Sequence, residues 1–440
     1  MPLSKLFKLA GVAMLPFFVT GCVQVTLAWA NLNASGGPAA TPAILAASAP
    51  GIAGGAQPSP ATSKPTLAAI TTTQRWEDER VPILRDQLQA HIYGYLPDAS
   101  DIRVIDRKVL DTNAFGGRAT LEEITVAPIA QFGEVRREGD PFIIELVVPN
   151  NASGPVPIIL KQSFSRRWQA VPHPDVTGRP EGNPRAISGI FTYVFGRYIA
   201  TPPIADILDR GYALAVVTPG EFVPDNGVAG LAALRELSAG YQDDQTRWGA
   251  ILAWGWGFSR TIDVLIDDPR IRSDGFIAYG HSRYGKSALV AAAFDERVNA
   301  VISHQSGTGG ASLNRRKKGE SVKQITESYP HWFSNVYAGY ADKTDEMPVD
   351  QHHLLALVAP RPVFLGNARR DVWSDPNGAL RAAIGADPVW KLYDQDGGLR
   401  QDRLDGFDPE ADVALWIRPG THGVNKEDWP AFLAFLDAHF

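Results

Sequence analysis

Short apolar, β-branched runs alternate with helical stretches along most of this chain, and that alternation limits the fold more than any other feature. The runs lie at residues 142–148, 156–160, 212–217, 275–279, 298–303, 362–366 and 413–417. Each is short and apolar enough to form a strand. The clearest helical pattern runs from about 244 to 266, with Trp248, Leu252 and Trp256 at helical spacing, and Asp267, Asp268 and Pro269 stop it. Others follow at 286–294 and 428–440, the last with Trp429, Phe432, Phe435 and Leu436 on one side. Strand, helix, strand order predicts an α/β three-layer sandwich whose central sheet is mostly parallel and covered on both faces. Ligands on such sheets bind at the carboxyl ends of the strands, so chemistry is expected there.

Composition narrows the alternatives. Lys plus Arg number 42 against 48 Asp plus Glu, a net charge of −6. A nucleic-acid binder carries a basic surplus to displace phosphate counterions, and this chain has none. A single cysteine, Cys22, excludes a disulfide scaffold. No His, Cys, Asp or Glu grouping has zinc spacing, so neither a metal nor a cofactor is expected.

Residues 1–30 read as an address. Lys5 and Lys8 precede an uncharged stretch at 9–19, the two parts of a secretory signal. That stretch is too short for a bilayer span of about 20 apolar residues, and no later stretch is long enough. Val19-Thr20-Gly21-Cys22 looks like a bacterial lipobox, in which Cys22 would carry a lipid anchor. Ala28-Trp29-Ala30 fits ordinary signal cleavage. The expected location is the periplasm, the outer membrane or the extracellular space. Residues 31–75, rich in Ala, Gly, Pro, Ser and Thr, then form a flexible linker. The catalytic domain is expected at 76–440, acting as a monomer.

One segment carries two motifs. A strand at 276–279 runs into Gly280-His281-Ser282-Arg283-Tyr284-Gly285-Lys286-Ser287. These eight residues fit the phosphate-binding pattern G-x-x-x-x-G-K-[ST]. They also fit a nucleophile elbow, where a serine sits on a sharp strand-to-helix turn. A nucleotide site needs an acid at a neighbouring strand end to hold magnesium. The next strand ends at His304-Gln305 and offers none. The elbow instead requires an acid and then a histidine later in the chain, and both exist. The second glycine is one position later than in G-x-S-x-G, and Gly280 and Gly285 still permit a tight turn. The plain alternative for Ser282 is a helix cap.

His422 lies in a loop just after the last strand, where it reaches the same sheet edge as Ser282. A neutral imidazole there can take the serine proton and return it to a leaving alcohol. The acid is sought after the 362–366 strand, where Asp371 is the first choice and Asp375 the reserve. For Asp375, directly before Pro376, a helix-cap role competes.

The residues at 280–286 resemble the G-x-S-R-x-G-K elbow of the glucuronoyl esterases, carbohydrate esterase family fifteen. Ser306-Gly307-Thr308-Gly309-Gly310-Ala311, Tyr329-Pro330-His331-Trp332-Phe333, Pro348-Val349-Asp350-Gln351-His352, Ala359-Pro360-Arg361-Pro362 and Asp371-Val372-Trp373-Ser374-Asp375-Pro376 agree in register. The resemblance covers roughly 76–440 and is nearest the bacterial branch. It implies an α/β-hydrolase fold and cleavage of the ester between a (4-O-methyl-)glucuronic acid branch of xylan and a lignin alcohol. Carried over, Ser282 is the nucleophile, His422 the base and Arg283 an oxyanion holder, while Lys286, Glu320 and Trp373 match uronate contacts. Taken alone, Lys286 would be a solvated helix lysine, Glu320 a surface acid and Trp373 a packing residue.

One position departs from the pattern. Many members place a glutamate where this chain has Gln305, and an amide cannot supply a negative charge. Asp371 matches the later position that bacterial members use. The same fold acting on acetyl or aryl polysaccharide esters, or a decayed carbohydrate-binding site, are the competing functions.

Overall fold

The computed structural model describes residues 70–182, 189–240, 245 and 247–440. The export signal and nearly all of the linker therefore lie outside the described residues. Ten strands form one mixed sheet: β1 Ala99–Asn113, β2 Ala119–Phe132, β3 Val135–Glu138, β4 Phe142–Pro149, β5 Val156–Gln162, β6 Ala213–Val217, β7 Ile271–His281, β8 Ala300–His304, β9 Val363–Ala368 and β10 Val413–Arg418. Their order is β1-β2-β4-β6-β5-β7-β8-β9-β10, with β3 on β2. From β6 to β10 every neighbouring pair is parallel. The β1 to β6 side is antiparallel throughout.

Period-two alternation explains the layers. In β7, Phe276 and Ala278 face one core while Ile277 and Tyr279 face the other. The same split separates Val363 and Leu365 from Phe364 in β9, and Val413 and Leu415 from Ala414 in β10. A strand that buries both faces needs a cover on each. Helices α1 Ala250–Leu265, α2 Arg283–Phe294, α3 Gln351–Ala356 and α4 Pro376–Tyr393 pack on the first face. Helix α5 Asp428–His439 packs on the second through Trp429, Phe432, Phe435 and Leu436. This is the three-layer α/β-hydrolase arrangement. Among the described residues, no helix is long and apolar enough to cross a membrane.

One expectation needs correcting. The long helix starts at Ala250 rather than near 244, because Trp248 sits ahead of it with its indole N–H donating to the Leu234 carbonyl at 3.3 Å. The β1–β2 hairpin is an addition to the expected strands rather than a change to one of them. β1 is an exposed edge strand that alternates charges with valines and isoleucines. Its Arg103 pairs with Glu138, and its Arg107 with the buried Glu122 and Asp268. Charged edges of this kind discourage strand addition.

The link between β10 and α5 is a buried ion pair. Arg418 Nε donates to both carboxylate oxygens of Asp428, at 2.9 and 2.8 Å, and both side chains are essentially inaccessible. Asp428 also accepts from Trp416 Nε1 at 3.1 Å and from the Asn425 N–H at 2.8 Å. Removing one partner strands the other charge in the interior. Asp428→Ala is therefore expected to lower unfolding stability by about 3–5 kcal/mol, read from denaturant titration. An unchanged midpoint would show that the pair contributes nothing.

Candidate active site

The parallel pairing aligns the carboxyl ends of four strands. His281 of β7 faces His304 of β8, His304 faces Gly366 of β9, and Ala368 faces Arg418 of β10. The loops that leave these ends carry Ser282, Gln305, Asp371 and His422.

Ser282 turns the chain from β7 into α2 with φ 58° and ψ −123°. A non-glycine residue in that region is strained by about 1–3 kcal/mol and persists only where neighbours hold it. Here its N–H donates to the His304 carbonyl at 2.8 Å, and its own carbonyl accepts from Gly285 and Lys286 at 2.9 and 3.1 Å. A Cβ at Gly280 would lie 1.8 Å from the Tyr284 carbonyl oxygen, and one at Gly285 would lie 3.0 Å from the carbonyls of Gly280 and His304. The shifted glycine spacing thus meets the same steric need. Ser282 occupies the cap position of α2, yet its hydroxyl makes no capping bond. The plain helix-cap role does not describe it.

His422 is about one-third exposed, and its Nδ1 lies 2.7 Å from Asp371 Oδ2. With the Nδ1–H given to the carboxylate, Nε2 keeps its lone pair. The ring packs 4.6 Å from that of His281, the residue before the serine. Ser282 and His422 therefore share one edge of the sheet.

Asp371 is buried, and its Oδ2 also accepts from Ser374 Oγ at 2.7 Å. Burial alone would push its carboxyl up. The charge and hydrogen bond of His422, with those from Ser374, outweigh burial and hold it below the usual carboxylate range. Asp375 does something else. It caps α4, accepting from the Gly378 N–H at 3.0 Å, and is fully buried near Lys317 and Arg381. Gln305 does not face the imidazole as an acid would. Its side chain bonds backbone groups on either side of His422.

Arg283 is held on three sides. Its guanidinium pairs with Asp225 and lies 5.3 Å from the Phe164 ring and 5.2 Å from that of Trp332. Asp225 in turn accepts from His331 Nε2 at 2.9 Å and Trp332 Nε1 at 2.8 Å. Burial, then the charges of Arg247 and Arg283, push His331 down to about 4, so its ring is neutral and donates. The buried Arg283 Nε–H has no partner among the described residues. A guanidinium fixed in direction in this way can meet an oxyanion without reorganising.

Lys286 is buried, not solvated. Its ammonium donates to the carbonyls of Ser306 and Thr308, the latter at 2.7 Å, which leaves one of three N–H groups uncommitted. Burial pushes it down to about 8 against the opposing charge of Glu320. Glu320 is itself mostly buried and fixed by its N–H to the Trp373 carbonyl at 2.9 Å. Trp373 is 46% exposed, so it is not a core residue. Asp225, Phe164 and Ser374 carried no sequence signal for these contacts. Only Ser374, three residues after Asp371, was within reach of a turn argument.

A family model described as glucuronyl esterase, fungi, matches residues 240–394. A carbohydrate esterase from an unknown prokaryotic organism is 32% identical over 394 residues, covering 84% of this chain and 86% of that protein. The 4-O-methyl-glucuronoyl methylesterase of Phanerochaete carnosa is 30% identical over 262 residues, 54% of this chain and 62% of its own length. A solved glucuronoyl esterase from Solibacter usitatus superposes with a TM-score of 0.71 at 31% identity, over 84% of this chain and 94% of that one. By sequence and by fold alike, this chain belongs to carbohydrate esterase family fifteen, the glucuronoyl esterases, and is a carboxylic ester hydrolase.

Proposed function

We propose that the protein is a serine esterase that cleaves the ester between (4-O-methyl-)glucuronic acid side chains of xylan and lignin alcohols through an acyl-enzyme. The observation that carries this reading is the 2.7 Å bond from His422 Nδ1 to the buried Asp371 carboxylate, at the same sheet edge as a strained Ser282 whose hydroxyl does not cap its helix. In this reading Ser282 Oγ attacks the uronate ester carbonyl and its proton passes to His422 Nε2. The carbonyl oxygen becomes an oxyanion, met by the Arg283 guanidinium. Collapse expels the alcohol, which takes the proton from Nε2. Water then repeats the sequence on the acyl-serine. Asp371 fixes the tautomer and balances the imidazolium charge. Lys286, Glu320 and the exposed Trp373 face receive the sugar.

The test is release of benzyl alcohol from benzyl glucuronate, with acetylated xylan as the competing substrate. Ser282→Ala is expected to lower kcat by about 10⁴-fold or more, and Asp371→Asn by about 10³–10⁴-fold. Asp375→Ala should instead lower stability, by about 1 kcal/mol for the lost helix cap and by up to about 3–5 kcal/mol in all because buried Lys317 loses its counter-charge. Full turnover by Ser282→Ala would falsify the mechanism. Faster release from acetylated xylan would move the substrate to acetyl esters.

Lys286 gives a pH signature. Below about 8 its ammonium has a third N–H for a sugar hydroxyl; above it, a neutral amine has two, both engaged by carbonyls. KM should therefore rise as pH increases through about 8 while kcat changes less. In Lys286→Met this rise should vanish. A pH-independent KM in the wild type would remove the sugar contact from Lys286.

Export by residues 1–30, with Cys22 as a lipid anchor, belongs to the same proposal and is supported by the lipobox sequence. Labelled palmitate should enter the wild-type protein in a bacterial host and not Cys22→Ser. Equal labelling of both would sink the anchor.

A further inference from the structure

Where the family pattern has an acid, the amide of Gln305 is built into the backbone that carries His422. Its Oε1 accepts from the Gly423 N–H at 2.8 Å and its Nε2 faces the Thr421 carbonyl at 3.4 Å. Those are the two peptide groups that flank His422. Gln305 is itself fixed. It is 2% exposed, its N–H donates to the Gly366 carbonyl at 2.8 Å, and its carbonyl lies 3.2 Å from Ser374 Oγ, the hydroxyl that also holds Asp371.

We infer that Gln305 is a positioning residue, an amide clamp that sets the His422 loop between the acid and the nucleophile. The chemistry selects an amide. One side of the site offers a donor and the other an acceptor, which only a carboxamide of this length answers together. A carboxylate could accept from Gly423, but its second oxygen would face the Thr421 carbonyl without a proton between them. Arg418 cradles the same loop from behind, donating to the carbonyls of Pro419, Thr421 and Gly423. Gly420 and Gly423 both adopt positive φ, so the loop's shape depends on such outside contacts. With Asp371 supplying the charge, position 305 serves geometry.

The inference rests on the serine-esterase reading, and the experiment separates the two. Gln305→Met, Gln305→Glu, Ser282→Ala and the wild type are compared on benzyl glucuronate for kcat, KM and thermal midpoint. Gln305→Met is expected to lower kcat by about tenfold to a hundredfold, as small misplacements of a reacting group do. KM should stay within about twofold and the thermal midpoint within a few degrees. Gln305→Glu should lower kcat as well, because its second oxygen has no proton to give the Thr421 carbonyl. Wild-type kcat in Gln305→Met or Gln305→Glu, a loss confined to KM, or a loss tracking a collapsed midpoint would each overturn the clamp. Active Ser282→Ala would overturn the esterase reading instead.

Discussion

The turn from β7 into α2 has no room for a side chain at position 280, and the rest of the site is arranged around that close approach. With the Tyr284 carbonyl 1.8 Å from where a Cβ would stand, the helix starts directly on top of its strand. Ser282 is forced to positive φ, and its N–H reaches across to the His304 carbonyl. That bond ties the elbow to β8, whose end delivers Gln305, which is tied in turn to Gly366 of β9. Each strand end is registered on the last, so the loops that carry the site leave from fixed points.

Charge is distributed as unevenly as space. His281 and His304 lie beneath His422, and burial, more than any neighbour, drives both well toward neutrality, His304 to about 4. Two protonated rings there would repel an imidazolium at His422. Kept neutral, they form a polarisable floor, and the nearest negative charge is Asp371. His422 is the partly exposed ring of the three.

The legible part of the molecule is the part governed by alternation and by chain order. Seven strands from β4 onward follow from β-branched runs, because a strand buried on both faces can hardly be polar. β1 escaped because an edge strand answers to solvent and carries Arg103, Asp106, Arg107 and Lys108. β2 escaped because its Glu122 and Glu123 look like surface residues. Both are buried: Glu122 is bonded by Arg107 and Arg270, and Glu123 by Thr177, all distant in sequence. The same division holds in the site. Ser282, Asp371 and His422 sit after strands in readable order. Asp225, which fixes Arg283, comes from a loop after β6 whose sequence announces nothing.

That distant aspartate fixes the arginine to which the proposed mechanism gives the oxyanion. A free guanidinium beside a nucleophile is flexible and hydrated, and it would have to reorganise as charge develops. Asp225 takes one end of it, while Phe164 and Trp332 cover its faces. Trp332 does so while donating its indole N–H to the same carboxylate, which couples ring and ion pair into one rigid unit. The carboxylate partly neutralises Arg283 and so weakens its pull on an anion. The compensation is orientation: in the proposed mechanism a guanidinium already held in place needs no reorganisation when the carbonyl becomes an oxyanion.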